Sequence, residues 1–385
     1  MSIIKDSVQN ELDYFFGRIE KSDTDIKKVT NSAFTQARAK LKHTAFIELD
    51  KETISDFYKN TSYLKWNDYR LVAIDGSSIV LPNTDEIEDK FGKHFEKSSG
   101  AAVILARISE AFDPLNHISL DIQVQPYATS EHKMLIDHLA SLRNGDLSIL
   151  DRNYPAFWVY KLYDSRNLDF CMRVQISGRG KVITDFFNSG EKEKIATIRC
   201  TTQESKRKCN ELDLGTEDIK CRLIRIELDN GGTEILITSL LDCQKHPYGQ
   251  FKELYHLRWP VEECYKLLKY RLEIENFSGK SIDAIYQDIF AKIFTSNLTS
   301  VLAHGTHKEI EKKTIHRKTK YKVNWSNAIS KMKNSGFLLF IRDDIAGILE
   351  SLQVLFTINP VPIRPDRSSP RPKHKNKRRF SMCYK

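Results

Sequence analysis

The chain has 385 residues, 40% hydrophobic and 29% charged, with a formal net charge of +9. That is long enough for more than one domain and apolar enough for a folded core, so wholesale disorder is excluded, and the basic balance points to a polyanionic partner. Apolar runs such as residues 337–341 fall far short of the roughly 18 residues of a membrane span, and no basic segment followed by an apolar one opens the chain, so a cytoplasmic protein is expected.

Residues 1–65 read as helical and polar. After residues 25–29 come Thr30, Asn31 and Ser32, good capping residues, and then Phe34, Ala37 and Leu41 mark the apolar face of a helix that carries Arg38 and Lys42. Two readings fit: a helix-turn-helix that binds DNA ends, or a small helical bundle packed on the next domain. From residue 69 an apolar run arrives at Asp75, as a buried strand with the carboxylate near a sheet edge or as a strand followed by an aspartate turn. Residues 101–112 and 117–127 read as two strands joined by a turn. Thr129 or Ser130 caps a helix along which Met134, Leu135, His138, Leu139 and Leu142 recur at helical spacing until Asn144 and Gly145 end it. Residues 147–150 form a short apolar strand, and again a carboxylate, Asp151, follows it.

Residues 156–164 are expected to be helical and 168–176 extended. Residues 177–245 then read as mainly β, with Ile224, Ile226 and Leu228 alternating before a turn at 229–232 and Ile235 and Ile237 after it. In the stretch 255–269, taken as helix at roughly 100° per residue, Tyr255, Arg258, Glu262 and Lys269 share an arc of about 60°. Leu257, Val261, Cys264 and Leu268 form its buried stripe, and Pro260 requires the helix to begin or kink nearby. Trp259 is expected to pack against the sheet rather than stack on a base. Residues 275–281 are not a phosphate loop, because Ile274 stands where the first glycine is needed. Residues 281–303 read as one helix and 324–356 as two more. His304 and His307 are three apart without carboxylate or thiol partners, and the seven cysteines include no C-x-x-C pair, so neither a zinc site nor a disulfide framework is expected. Residues 361–385 hold nine Lys or Arg and one acid, a tail expected to be disordered without DNA.

Tyr255, Arg258, Glu262 and Lys269, separated by two, three and six residues, resemble the Y-R-E-K signature of DDE transposases of the insertion-sequence-four type. Strand, hairpin, helix and strand, with Asp75 and Asp151 at two strand ends, resemble a ribonuclease-H-like skeleton. The resemblance covers about residues 25–356 and implies an α/β protein. Its ribonuclease-H-like mixed sheet, flanked by helices, would take residues 66–176 and 246–360, with a mainly β insertion domain at 177–245, a helical N-terminal region at 1–65 and the basic tail at 361–385. It further implies that Asp75, Asp151 and Glu262 are the catalytic, metal-binding acids and that Tyr255, Arg258 and Lys269 handle DNA phosphates. The implied cofactor is Mg²⁺ with Mn²⁺ as a substitute, since two hard cations about 3.5–4 Å apart activate an oxygen nucleophile and neutralise phosphodiester charge. The implied reaction is binding of the element's inverted ends, their cleavage, and joining of the 3′ ends to target DNA. The partners would be double-stranded DNA and a second copy of the chain in an end-paired homodimer associated with the nucleoid, away from any membrane. A stand-alone structure-selective nuclease on the same fold and a catalytically dead DNA-binding repressor are the rivals. Two departures stand out: Asn153 replaces a customary glycine, and residues 177–245 have no Trp and only Phe186 and Phe187 as large aromatics, which argues against a hairpin intermediate.

Overall fold

The computed structural model describes residues 7–22, 24–95, 100, 102–176, 180–229 and 231–363; the basic tail beyond residue 363 lies outside the described residues. The chain divides into two compact units. A sheet unit takes residues 62–77 and 107–265, and a helical unit takes the described residues up to 61, 78–106 and from 266 onward.

Nine strands form one sheet: β1 (Arg70–Leu81), β2 (Lys93–Phe95), β3 (Ala102–Asp113), β4 (Ile118–Pro126), β5 (Asp146–Leu150), β6 (Asp169–Val174), β7 (Glu193–Ile198), β8 (Ile219–Glu227) and β9 (Thr233–Thr238). Their order is β2-β3-β1-β5-β6-β9-β8-β7, with β4 also on β3. β1, β5 and β6 are parallel, and β9, β8 and β7 follow antiparallel. The run β4-β3-β1-β5-β6 is the ribonuclease-H-like mixed sheet. Strands β7 to β9, read from sequence as part of a separate β-rich insertion, join this same sheet through β9 on β6. Ile235, Leu236 and Ile237 on β9 are all buried, as a strand covered on both faces requires.

Successive residues of the central strands enter opposite cores. Val72, Ile74, Leu150, Phe170 and Met172 pack with the helices Glu131–His138 and Phe157–Ser165 on one face. Leu71, Leu147, Ile149 and Cys171 pack with Phe251 and Leu254 on the other. Side-chain alternation of period two is the cause.

The β1–β5 register starts at Arg70 opposite Asp146, and these two form a buried bidentate pair, Nε to Oδ1 at 2.8 Å and Nη2 to Oδ2 at 2.6 Å. Arg143 N also donates to Asp146 Oδ2, at 2.8 Å.

In the helical unit, Val8–Ile19, Asn31–Arg38, Thr44–Asn60, Ile282–His304, His307–Thr314, Trp325–Ser335 and Ile345–Thr357 are helices. Thr30 caps the second, its hydroxyl accepting from Ala33 N at 3.2 Å. Residues 25–29, read as the first half of a helix-turn-helix, are irregular, since a run this short and polar does not nucleate a helix by itself. Arg38, expected beside the apolar face, is bound internally: it donates to Ala284 O at 2.7 Å and to Asp288 Oδ1 at 2.8 Å. Val361–Pro362 pairs with Tyr321–Lys322, so the first residues of the expected tail are extended. No helix among the described residues is long and apolar enough to cross a membrane.

Asp50 accepts both bonds of the buried Asn297 amide at 3.0 Å, yet burial still pushes its carboxyl up to about 7 from 3.8. A raised folded pKa means the native state holds the proton that the unfolded chain releases, so this group's stabilising contribution is present below pH 4 and lost as pH rises through 7. Asp50→Asn is therefore expected to flatten the fall in stability between pH 5 and pH 8, read as urea midpoints of variant and wild type. Parallel pH profiles would show that Asp50 is charged in both states.

Candidate active site

The β1–β5 pairing ends at Ile74 opposite Leu150, so the next step along each strand is Asp75 and Asp151. Asp75 follows the odd-numbered face of β1, that of Leu71, which is covered by the Phe251–His256 helix, while Asp151 lies one residue past the end of β5. β1 itself continues to Leu81, so Asp75 lies within a long strand and not at its end. Gly76 N donates to Asp75 Oδ1 at 2.9 Å, and Asn153 N donates to Asp151 Oδ1 at 2.8 Å. The second bond is an Asx turn that fixes the loop after β5; Asn153 is absent from the residues with positive φ, so replacing the customary glycine strains nothing.

The stretch expected to begin or kink near Pro260 is two helices, Phe251–His256 and Trp259–Tyr270, broken at Leu257 and Arg258. Pro260 explains the break, since it disfavours helical angles before it and is at home in a first turn. Tyr255 consequently sits on the shorter helix, off the helix of Glu262. Its ring packs on the core of Ile149, Cys171 and Leu254, and burial pushes its hydroxyl pKa up. Trp259 is 43% exposed, so it does not lie in the buried core where packing on the sheet was expected. Lys269 belongs to the helical unit, where its Nζ donates to Ser78 O at 2.7 Å.

Arg258 joins the acids. Its Nη2 donates to Glu262 Oε1 at 2.7 Å, and its Nη1 lies 3.5 Å from Asp75 Oδ2. Burial works against the guanidinium charge, but the Glu262 bond and the neighbouring Tyr255, Asp75 and Glu262 hold its pKa above the ordinary value. Burial pushes Asp75 up to about 6; the Gly76 bond and Arg258 oppose the shift, while Asp151 and Glu262 add to it. Asp75 thus lies in the field of Asp151, Glu262 and the Arg258 guanidinium.

Among the described residues no three acidic, histidine or cysteine side chains are drawn together tightly enough to enclose a metal ion. Arg258 bridges Asp75 and Glu262 instead. The donor set still fits a hard divalent cation, because it is all carboxylate oxygen, the ligand type such ions take.

Sequence reasoning missed the layer behind these acids. Ser109 Oγ donates to Asp75 O at 3.3 Å, the Tyr265 hydroxyl donates to the same carbonyl at 2.7 Å, and Glu110 lies fully buried on β3. The available signal was a serine and a glutamate, Ser109 and Glu110, set between apolar residues on a mostly apolar strand. Phe186 is core, and Phe187 lies under the Arg225 guanidinium at 5.0 Å, so neither is an open aromatic platform.

Residues 66–298 match the family described as Transposase DDE domain. The chain is 19% identical over 353 residues to Transposase InsG for insertion sequence element IS4 of Escherichia coli (strain K12), covering 89% of this chain and 76% of that protein. A cryo-EM structure of the piggyBac transposase synaptic complex with hairpin DNA is a more distant likeness, with a TM-score of 0.39 and 10% identity over 85% of this chain and 66% of that one. The family match spans more than half of the sequence and contains Asp75, Asp151 and Glu262: this chain belongs to the DDE transposase family.

Proposed function

We propose that the protein binds the inverted ends of its own insertion sequence, cleaves them with a divalent metal and joins the freed 3′ ends to target DNA. The observation that supports this reading is the β1–β5 register, which runs to Ile74 opposite Leu150, one residue before Asp75 and Asp151, together with Arg258, which bonds Glu262 and lies 3.5 Å from Asp75. Asp75, Asp151 and Glu262 would hold the metal, Mg²⁺ or in its place Mn²⁺. When bound, such ions activate water or a 3′ hydroxyl and neutralise charge at the phosphodiester.

The chain's own groups supply orientation. Gly76 N and Asn153 N hold one oxygen each of the two aspartates. Arg258 would exchange its carboxylate partners for a phosphate of the cleaved strand, for which its planar fork is suited. Tyr255 and Lys269 would contact the same strand end, and two copies of the chain would pair two ends. Both rivals lack a joining step, so labelled, pre-cleaved end DNA incubated with a target plasmid separates them. The expected result is metal-dependent joined product. Cleavage of branched DNA with no joined product would favour the nuclease, and end binding without either reaction the repressor.

A further inference from the structure

The helix that carries Glu262 is fastened to two strands by side chains that the proposed chemistry does not use. Tyr265 Oη donates to the main-chain carbonyl of Asp75 on β1 at 2.7 Å. Its neighbour Cys264 donates from Sγ to Glu110 Oε1 on β3 at 3.4 Å. Cys264 and Tyr265 are buried, and Glu110 is completely so. Ser119 Oγ bonds the same Glu110 oxygen, while Glu110 Oε2 has no hydrogen-bond partner. A buried carboxyl with a bare oxygen is a costly way to fill space, since an apolar side chain of that size would leave nothing unsatisfied. What it provides is an acceptor for the inner face of the helix, on β3.

We propose that Tyr265 and Glu110 are positioning residues for DNA cleavage: together they fix the roll of the Trp259–Tyr270 helix, and thereby where the Glu262 carboxylate stands relative to Asp75. The inference rests on the reading of Asp75 and Glu262 as metal-holding acids. Tyr265 lies three residues beyond Glu262, less than one helical turn, so its tether to Asp75 O links the first acid's strand to the third acid's helix at close range. Cys264 holds the adjacent point on a second strand, and two tethers on different strands prevent rotation where one would act as a pivot. The sensitivity is high. A roll of about 10° at a side-chain radius of roughly 5–6 Å moves a carboxylate by about 1 Å, and such a misplacement can cost about a hundredfold in rate.

The test compares Tyr265→Phe, Glu110→Ala and Glu110→Gln in the full chain, with Glu262→Gln in parallel. Tyr265→Phe removes only a hydroxyl and Glu110→Gln keeps a carbonyl acceptor. Tyr265→Phe and Glu110→Ala are expected to cleave about ten to a hundredfold more slowly at saturating DNA, with unchanged affinity for end DNA. The same two variants should need more Mn²⁺, several-fold, to fill the site in a complex with uncleavable end DNA, followed by electron paramagnetic resonance. Glu110→Gln should recover most of the rate and metal affinity. Wild-type cleavage and Mn²⁺ binding by Tyr265→Phe would overturn the proposal, and so would a lowered unfolding midpoint with unchanged rate per folded molecule. If Glu262→Gln itself cleaves like the wild type, it is the assignment of the acids that fails.

Discussion

Glu262→Gln is expected to bind end DNA as tightly as the wild type and to neither nick nor join it. The amide keeps the size of the side chain and can still accept from Arg258, now 2.7 Å from Glu262 Oε1. It loses the negative charge that a divalent cation requires, and stabilisation by such a cation is worth several kcal/mol, hence a rate loss of about a thousandfold or more. Arg258→Ala should fail differently. The three acids remain, but Arg258 is one of the influences that lower the Asp75 pKa, so without it Asp75 holds its proton to higher pH. The acid limb of the cleavage profile should move up in pH, and handling of the cleaved strand should weaken. Both variants go through one assay on a labelled end, with binding measured by gel shift and cleavage across pH 5–9. Near wild-type cleavage by Glu262→Gln would remove this residue from the set of metal-holding acids.

Asp75 and Asp151 stood out because each follows a short apolar run, and a strand buried on both faces leaves few places for a carboxylate to be tolerated, whereas Glu262 stood out by its spacing from Tyr255, Arg258 and Lys269. That the runs leading to Asp75 and Asp151 are neighbouring strands was legible only through the resemblance, since nothing local in residues 70–75 and 146–151 says that the two runs pair in parallel or in which register. The break before Trp259 was half readable: Pro260 announced a disturbance, but whether it would be a kink or a new helix depended on how Leu254 and Val261 pack, which is tertiary. Strands β7 to β9 were recognisable as strands from their alternation. That they extend the central sheet was not, because the pairing of β9 with β6 joins residues more than sixty positions apart. Least legible was the buried polar layer. Glu110 is pushed up to about 7 by burial, with Ser119 and Cys264 opposing and Asp75 adding, an environment assembled from four separate elements.

Arg70→Met and Asp146→Asn are each expected to destabilise the protein by about 3–5 kcal/mol, the cost of leaving one buried partner of an ion pair uncompensated. The pair is well suited to show this. Its side chains are only 5% and 1% exposed, it is bidentate, and it closes the β1–β5 register at the end opposite Asp75 and Asp151. A double variant, Arg70→Met with Asp146→Leu, should regain most of the loss, because no buried charge is then left unpaired. It should also retain cleavage within about tenfold, since a single-residue slip would turn every β1 side chain to the wrong face. A two-residue slip would keep the faces but carry Asp75 roughly 6–7 Å from its place beside Asp151. Leu71 opposite Leu147 and Ile74 opposite Leu150 would lose their packing in either case, so the register is held by apolar pairs as well as by charge. Urea midpoints of the three variants, with the cleavage assay alongside, separate the two contributions. Single variants as stable as the wild type would show that the pair is neutral to folding, and a stable but inactive double variant would show that the ion pair alone sets the distance between the two acids.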